Sequence, residues 1–196
     1  MTGIHGERAP LRDRLLDAAF QLVETKGWQR LRVAHVAAAA GVSRQSAYNE
    51  FGSKDALGEA LVVREFQRHL DGLKECLMDH RDDATAAVED AVLYTFRSAE
   101  ASPLLASILT SARVGWGAEE LVEMFRTRSE PLLPYAVRVV ADLVGRYRPD
   151  LDRPSVELCV DMVIRVTIGY LVTPDGSHED SAHRIALMAD RVLAPV

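Results

Sequence analysis

The chain has 196 residues, 48% of them hydrophobic and 27% charged, with only 12 glycines and 8 prolines, a composition that excludes a disordered or low-complexity protein and has room for a small module joined to a larger one. The net charge of −6 argues against nucleic-acid binding by the chain as a whole, yet residues 1–54 carry eight basic against five acidic side chains, +3, which leaves −9 for the rest. A basic head on an acidic body attracts phosphate at one end and repels it elsewhere.

No strand-like alternation and no internal repeat occurs, and apolar residues recur at steps of three and four, so the predicted fold class is all-α. A first helix is expected to start near Pro10, to bury Leu15, Leu16, Ala19, Leu22 and Val23 on one stripe, and to stop at Gly27. A short alanine-rich helix over 33–40 follows. Gly41, Val42 and Ser43 then supply a left-handed turn residue, an apolar plug between helices and a cap for a third helix over 44–51. Further helices are expected at about 55–79, 84–101, 103–113, 118–147 with a bend near Pro131 and Pro134, 155–173 and 179–193. The cuts follow from Pro103, the Gly115-Trp116-Gly117 loop, Arg148-Pro149-Asp150, Arg153-Pro154 and the Asp175-Gly176 turn.

A long helix, a glycine stop, a short helix, Gly-Val-Ser and another short helix form the outline of a helix-turn-helix. From Arg14 to Leu61 the chain resembles the DNA-binding domain of the tetracycline-repressor (TetR) family. Leu-Asp-Ala-Ala, Lys-Gly-Trp, Val-Ala, Ala-Gly-Val-Ser, Tyr-x-x-Phe and Ser-Lys-x-x-Leu all stand in register. The resemblance covers about a quarter of the chain. It implies a helix-turn-helix DNA-binding domain over 1–54 with three helices, a six-helix effector-binding and dimerisation domain over 55–196, and a homodimeric regulator.

On the third helix Ala47 and Phe51 are expected to face inward, which leaves Arg44, Gln45, Ser46 and Asn49 as base-reading candidates and Tyr48 beside them. Arginine suits guanine, and glutamine or asparagine suits adenine. By resemblance Tyr48 and Lys54 touch phosphate, and Arg32 stands where relatives carry a capping Ser or Thr, so it becomes the third phosphate candidate. Glu50 replaces a commoner histidine or aromatic residue, and its charge is expected to turn away or meet a neighbouring arginine. It is also the feature that favours the rival reading, a ligand-binding protein that has lost DNA binding.

A single short helix reads too little DNA to be selective, so a homodimer on a near-palindromic operator is expected. By resemblance the last two helices form the dimer bundle, with Val156, Val160, Val163, Thr167, Ile185, Leu187, Met188 and Val192 as interface candidates. The effector pocket is expected between body helices, lined from Phe66, Leu70, Leu73, Leu77, Phe96, Leu105, Leu109, Trp116, Met124, Phe125, Met162, Val166 and Tyr170. Polar contacts there are drawn from His69, Arg97, Arg113 or Arg165. Sparse charge in these stretches favours a lipid-like effector.

No catalytic constellation stands out. Asp79, His80, Asp82 and Asp83 mark a polar helix end, and His178 and His183 are five apart, off one helical face. Cys76 and Cys159 lack CxxC or Cys/His spacing, so neither a metal nor another cofactor is expected. The first ten residues have no apolar core and no run of eighteen apolar residues occurs, which predicts a cytoplasmic protein without a membrane partner.

Overall fold

The first helix, α1 (Leu11–Lys26), places Leu15, Leu16, Ala19 and Val23 on one buried stripe. Gly27 ends it at φ 77°, a left-handed angle that costs glycine little. Trp28 and Leu31 fold in behind that stop and are 4% and 3% exposed, sealing the end of the stripe. A computed structural model describes residues 10–80, 82–110 and 132–193 of the chain. Among the described residues there are nine helices and no strand.

After α1 come α2 (Val33–Ala39), α3 (Arg44–Phe51) and the long α4 (Lys54–Asp79). Then follow α5 (Ala84–Ala101), α6 (Pro103–Thr110), α7 (Leu132–Tyr147), α8 (Arg153–Val172) and α9 (His178–Leu193). The helix expected over 118–147 is seen as α7 from Leu132 onward, and its earlier part lies outside the described residues. Several starts are fixed by side-chain caps. Ser53 accepts from the Ala56 N–H at 3.0 Å, Asp83 from Ala86 at 3.0 Å and Asp152 from Ser155 at 3.1 Å. No helix among the described residues is long and apolar enough to cross a membrane.

The largest apolar cluster joins the first four helices to the body. Leu15, Leu16, Val36, Ala47, Leu57, Leu61 and Val62 share it with Leu104 and Ile108 of α6 and Ala136 of α7. A second cluster of Val92, Phe96, Ala182 and Ile185 ties α5 to α9, and a third of Ala141, Val156 and Val160 ties α7 to α8.

Two polar staples reinforce the junction between the first helices and the body. Asp17 of α1 accepts from Arg64 at 2.9 Å and Arg68 at 3.2 Å, and both arginines also pair with Glu65. At the other end of α1, the half-buried Glu24 accepts from the Ser102 hydroxyl at 2.9 Å and from the Leu104 N–H at 3.0 Å. A carboxylate of α1 thus meets the Leu104 N–H in the first turn of α6, where negative charge is favoured. Glu24→Ala is expected to lower the urea unfolding midpoint by an amount equivalent to about 1–2 kcal/mol at constant slope. An unchanged midpoint would remove this staple from the account.

Candidate nucleic-acid interface and ligand cavity

The turn between α2 and α3 is held from three sides. Gly41 adopts φ 65°, half-buried Val42 packs into the main cluster, and the Ser43 hydroxyl accepts from the Ser46 N–H at 3.0 Å as the cap of α3. Arg14 reaches across from α1 and donates to the Ala40 carbonyl at 2.6 Å, satisfying a terminal acceptor of α2. This bond locks α1 to the turn.

With Ala47 buried and Phe51 half-buried, α3 shows its other face to solvent. Arg44, Gln45, Tyr48 and Asn49 are exposed there, and Ser46 is half-buried. Gln45 Nε2 donates to Asn49 Oδ1 at 2.8 Å, so the two amides form one pre-set unit, one turn apart. The Arg44 guanidinium lies 5.3 Å from the centroid of the Tyr48 ring. Glu50 is met by Arg12 at 3.3 Å, and the same guanidinium covers Phe51 at 4.8 Å, so the carboxylate beside the exposed face has its own cation.

Of the three phosphate candidates, Arg32 is exposed at the start of α2, and Tyr48 is 36% exposed on α3. Lys54 sits differently. Its ammonium donates to the Trp28 carbonyl at 2.9 Å and the Gln29 carbonyl at 3.5 Å, and lies 4.4 Å from the centre of the Trp28 ring. The sequence showed a lysine at a helix start; the fold closes the loop between α1 and α2 with it.

Below this head a cavity of about 770 Å³ opens between α4, α5, α6, α7 and α8. Its lining is mostly aliphatic. Five of the expected lining residues, Phe66, Leu70, Leu73, Leu77 and Leu109, are on its wall. Phe96 instead belongs to the cluster between α5 and α9, where it stacks on His178 at 4.8 Å and where Val166 and Tyr170 also pack. Leu105 and Met162 are likewise off the wall, and Trp116, Met124, Phe125 and Arg113 lie outside the described residues. Arg97 is exposed and paired with Glu179 at 3.4 Å.

The expected interface residues divide. Val156, Val160, Val163 and Thr167 line the cavity, and Val156, Val160 and Thr167 are 1%, 8% and 5% exposed within the single chain. Ile185 is buried against Val92 and Phe96, while Met188 and Val192 are half-buried. The large apolar residues that α8 and α9 leave most open to solvent are Leu187 at 41% exposure, itself among the candidates, and two that were not, Leu158 at 58% and Val172 at 54%.

Sequence reasoning named His69 as a possible polar contact but not its setting. It is 3% exposed on the cavity wall, its ring lies flat on Tyr94 at 5.3 Å, and burial lowers its pKa to about 4, so it is neutral near pH 7. Tyr94 can cross α4 there because residue 72 is glycine; a Cβ at Gly72 would collide with the phenol. A tyrosine opposite a mid-helix glycine was the available signal.

Comparison with known proteins bears on both halves. Residues 15–61 match the family model described as bacterial regulatory proteins, tetR family, and residues 83–191 match that described as bacterial tetracyclin repressor, C-terminal domain. The chain is 31% identical over 193 residues to the HTH-type transcriptional regulator AlkX of Mycobacterium tuberculosis, covering 96% of this chain and 85% of the relative. Among solved structures it resembles the repressor AlkX from a Dietzia strain, described as implicated in biodegradation of n-alkanes, with a TM-score of 0.70 at 21% identity over 95% of this chain and 97% of that one. It also resembles the fatty acid degradation regulator FadR from Bacillus halodurans, with a TM-score of 0.57 at 19% identity over 93% and 96%. These structural likenesses extend over head and body together.

Lys54→Met keeps an apolar stem over Trp28 but removes the bonds to two carbonyls, and is expected to cost about 1–2 kcal/mol of stability. Thermal or urea unfolding measures this directly, and a variant as stable as the parent would leave Lys54 with no structural role.

Proposed function

The chain belongs to the TetR family of bacterial regulators and is a DNA-binding transcriptional regulator, not an enzyme; from that premise we propose that it is a dimeric repressor released by a small apolar effector. The observation that carries the reading is a shared element. Helix α4 places Leu57, Leu61 and Val62 in the cluster that seats α3, and about one to three turns later puts Phe66, Leu70 and Leu73 on the cavity wall. One rigid rod therefore serves both sites.

In this proposal α3 enters the major groove with Arg44, Gln45, Ser46 and Asn49 toward base edges. Arg32 and Tyr48 contact phosphate, with Lys54 contributing charge from its place over Trp28. The pairing of Glu50 with Arg12 weakens the case for a head that has lost DNA binding. Two chains meet through the outer faces of α8 and α9, around Leu158 and Leu187 with Met162, Met188 and Val192 at their margins. The buried Val156, Val160, Thr167 and Ile185 are assigned to the interior of each chain. Two heads at fixed separation then read two half-sites of a palindrome.

The effector occupies the aliphatic cavity, and its class is lipid-like; the words attached to the Dietzia and Bacillus proteins, n-alkanes and fatty acids, point the same way. Release follows if the effector binds the DNA-incompetent spacing of the heads more tightly, since equal affinity for both states would shift nothing.

Selection from a randomised DNA pool at two salt concentrations is expected to return an inverted repeat whose binding weakens steeply with salt. No enrichment even at low salt would overturn the DNA-reading proposal. Arg44→Ala is expected to cost about 1–3 kcal/mol on the selected site and to relax one base position, whereas equal losses on every sequence would remove Arg44 from the reading set. For the interface, Leu158→Asp combined with Leu187→Asp is expected to give a monomer in sedimentation analysis. A persistent dimer would place the contact elsewhere.

A further inference from the structure

Few polar side chains line the cavity, and most of them are held by neighbours. Arg148 is bound to Asp150 at 2.8 Å, Arg165 to Asp161 at 2.7 Å and His80 to Asp90 at 3.4 Å, all partly exposed at the rim. Thr167 donates to the Val163 carbonyl at 2.8 Å, and the Cys159 thiol is 3.8 Å from the Ala189 carbonyl. Tyr147, half-buried, and Thr173, exposed, also line the cavity, and among the described lining residues His69 is the buried side chain with an unpartnered polar atom. It is 3% exposed, and its Nδ1 is buried with no hydrogen-bond partner.

The state of that nitrogen follows from its neighbour. The Thr95 hydroxyl donates its single proton to the Ala91 carbonyl at 2.9 Å, so toward His69 Nε2, 3.5 Å away, it can only accept. Nε2 must then carry the ring proton, and Nδ1 is left as a bare acceptor. Burial keeps the ring neutral near pH 7, so it offers no positive charge to an anion. An unpaired buried acceptor is costly, and a ligand that donates to it recovers that cost on binding.

We propose that the effector is an aliphatic molecule with a hydroxyl head, and that His69, with its tautomer set by Thr95, selects that hydroxyl over heads that only accept hydrogen bonds. The inference rests on the cavity being the effector site. An ether, ketone or ester presents only lone pairs to a lone pair. An ionised carboxylate meets the same repulsion, and no unpaired cation stands among the described lining residues to offset it.

Calorimetric titration of the whole protein with 1-decanol and with its isomer 1-methoxynonane separates the heads, because the two have the same atoms and only the alcohol has an O–H. The alcohol is expected to bind roughly tenfold more tightly, the worth of about one hydrogen bond, and also more tightly than decanoate. His69→Phe keeps a flat ring against Tyr94 and is expected to reduce the alcohol to the affinity of the ether. Thr95→Val, which leaves the imidazole in place but frees its tautomer, is expected to shrink the preference as well, and tests the idea even if the ring substitution fails to fold. Equal binding of the two isomers would overturn the hydroxyl inference and leave the aliphatic cavity standing, as would a preference that survives both substitutions. Tighter binding of decanoate would also overturn it. If neither isomer binds, the effector reading of the cavity falls with it.

Discussion

The apolar cluster that begins at Leu15 and Leu16 of α1 does not end where the helix-turn-helix ends. It continues through Leu57, Leu61 and Val62 of α4 to Leu104 and Ile108 of α6 and Ala136 of α7. Close-packed interiors do not deform smoothly, so a displacement of α4 or α6 is passed to α1 and, through Val36 and Ala47, to α2 and α3. The orientation of α3 is therefore a property of the whole body. The apolar contact would tolerate some sliding. The staples from Asp17 to Arg64 and Arg68, and from Glu24 to the start of α6, fix the register at both ends of α1.

The same helices bound the cavity. Ile108 and Leu109 of α6 and Phe66, His69, Leu70 and Leu73 of α4 stand on its wall, a few residues from the atoms that hold α1. A ligand that spreads α4 from α6 strains the Glu24 staple directly, without a chain of intermediates. Because α1 also carries Arg14, whose bond to the Ala40 carbonyl fixes the turn before α3, the path from cavity wall to reading helix passes through two hydrogen-bonded contacts and one packed cluster.

Much of the head could be read in advance, since local chemistry decides it. A serine before a short helix, a glycine needing positive φ and an apolar stripe at steps of three and four act over a few residues, and α1 to α3 formed where those signals put them. Side chains that act across the fold could not be read in the same way. The structural roles of Arg14, Glu24 and Lys54 gave no such signal, because they rest on backbone groups far along the chain, carbonyls for the two cations and the Leu104 N–H for the carboxylate, which have no residue signature. On α8 the limit was of another kind. The stripe of Val156, Val160, Val163 and Thr167 has the period of a buried face, but periodicity does not say whether that face meets a cavity, a core or a second chain. Leu158, Leu187 and Val172, scattered outside the stripe, were the residues left open to solvent.

The bond from Gln45 to Asn49 has an evolutionary consequence. If the two face base edges as proposed, each amide orients the other, so neither base preference belongs to one residue alone; replacing either side chain frees the other to turn and changes what both positions accept. Drift toward a new operator sequence would have to cross an intermediate in which one amide has lost its guide, whereas a double exchange that rebuilds the pair avoids it. Divergence of binding specificity within such a lineage should proceed in paired steps at these two positions, and single replacements there should be rare between regulators that still bind DNA selectively.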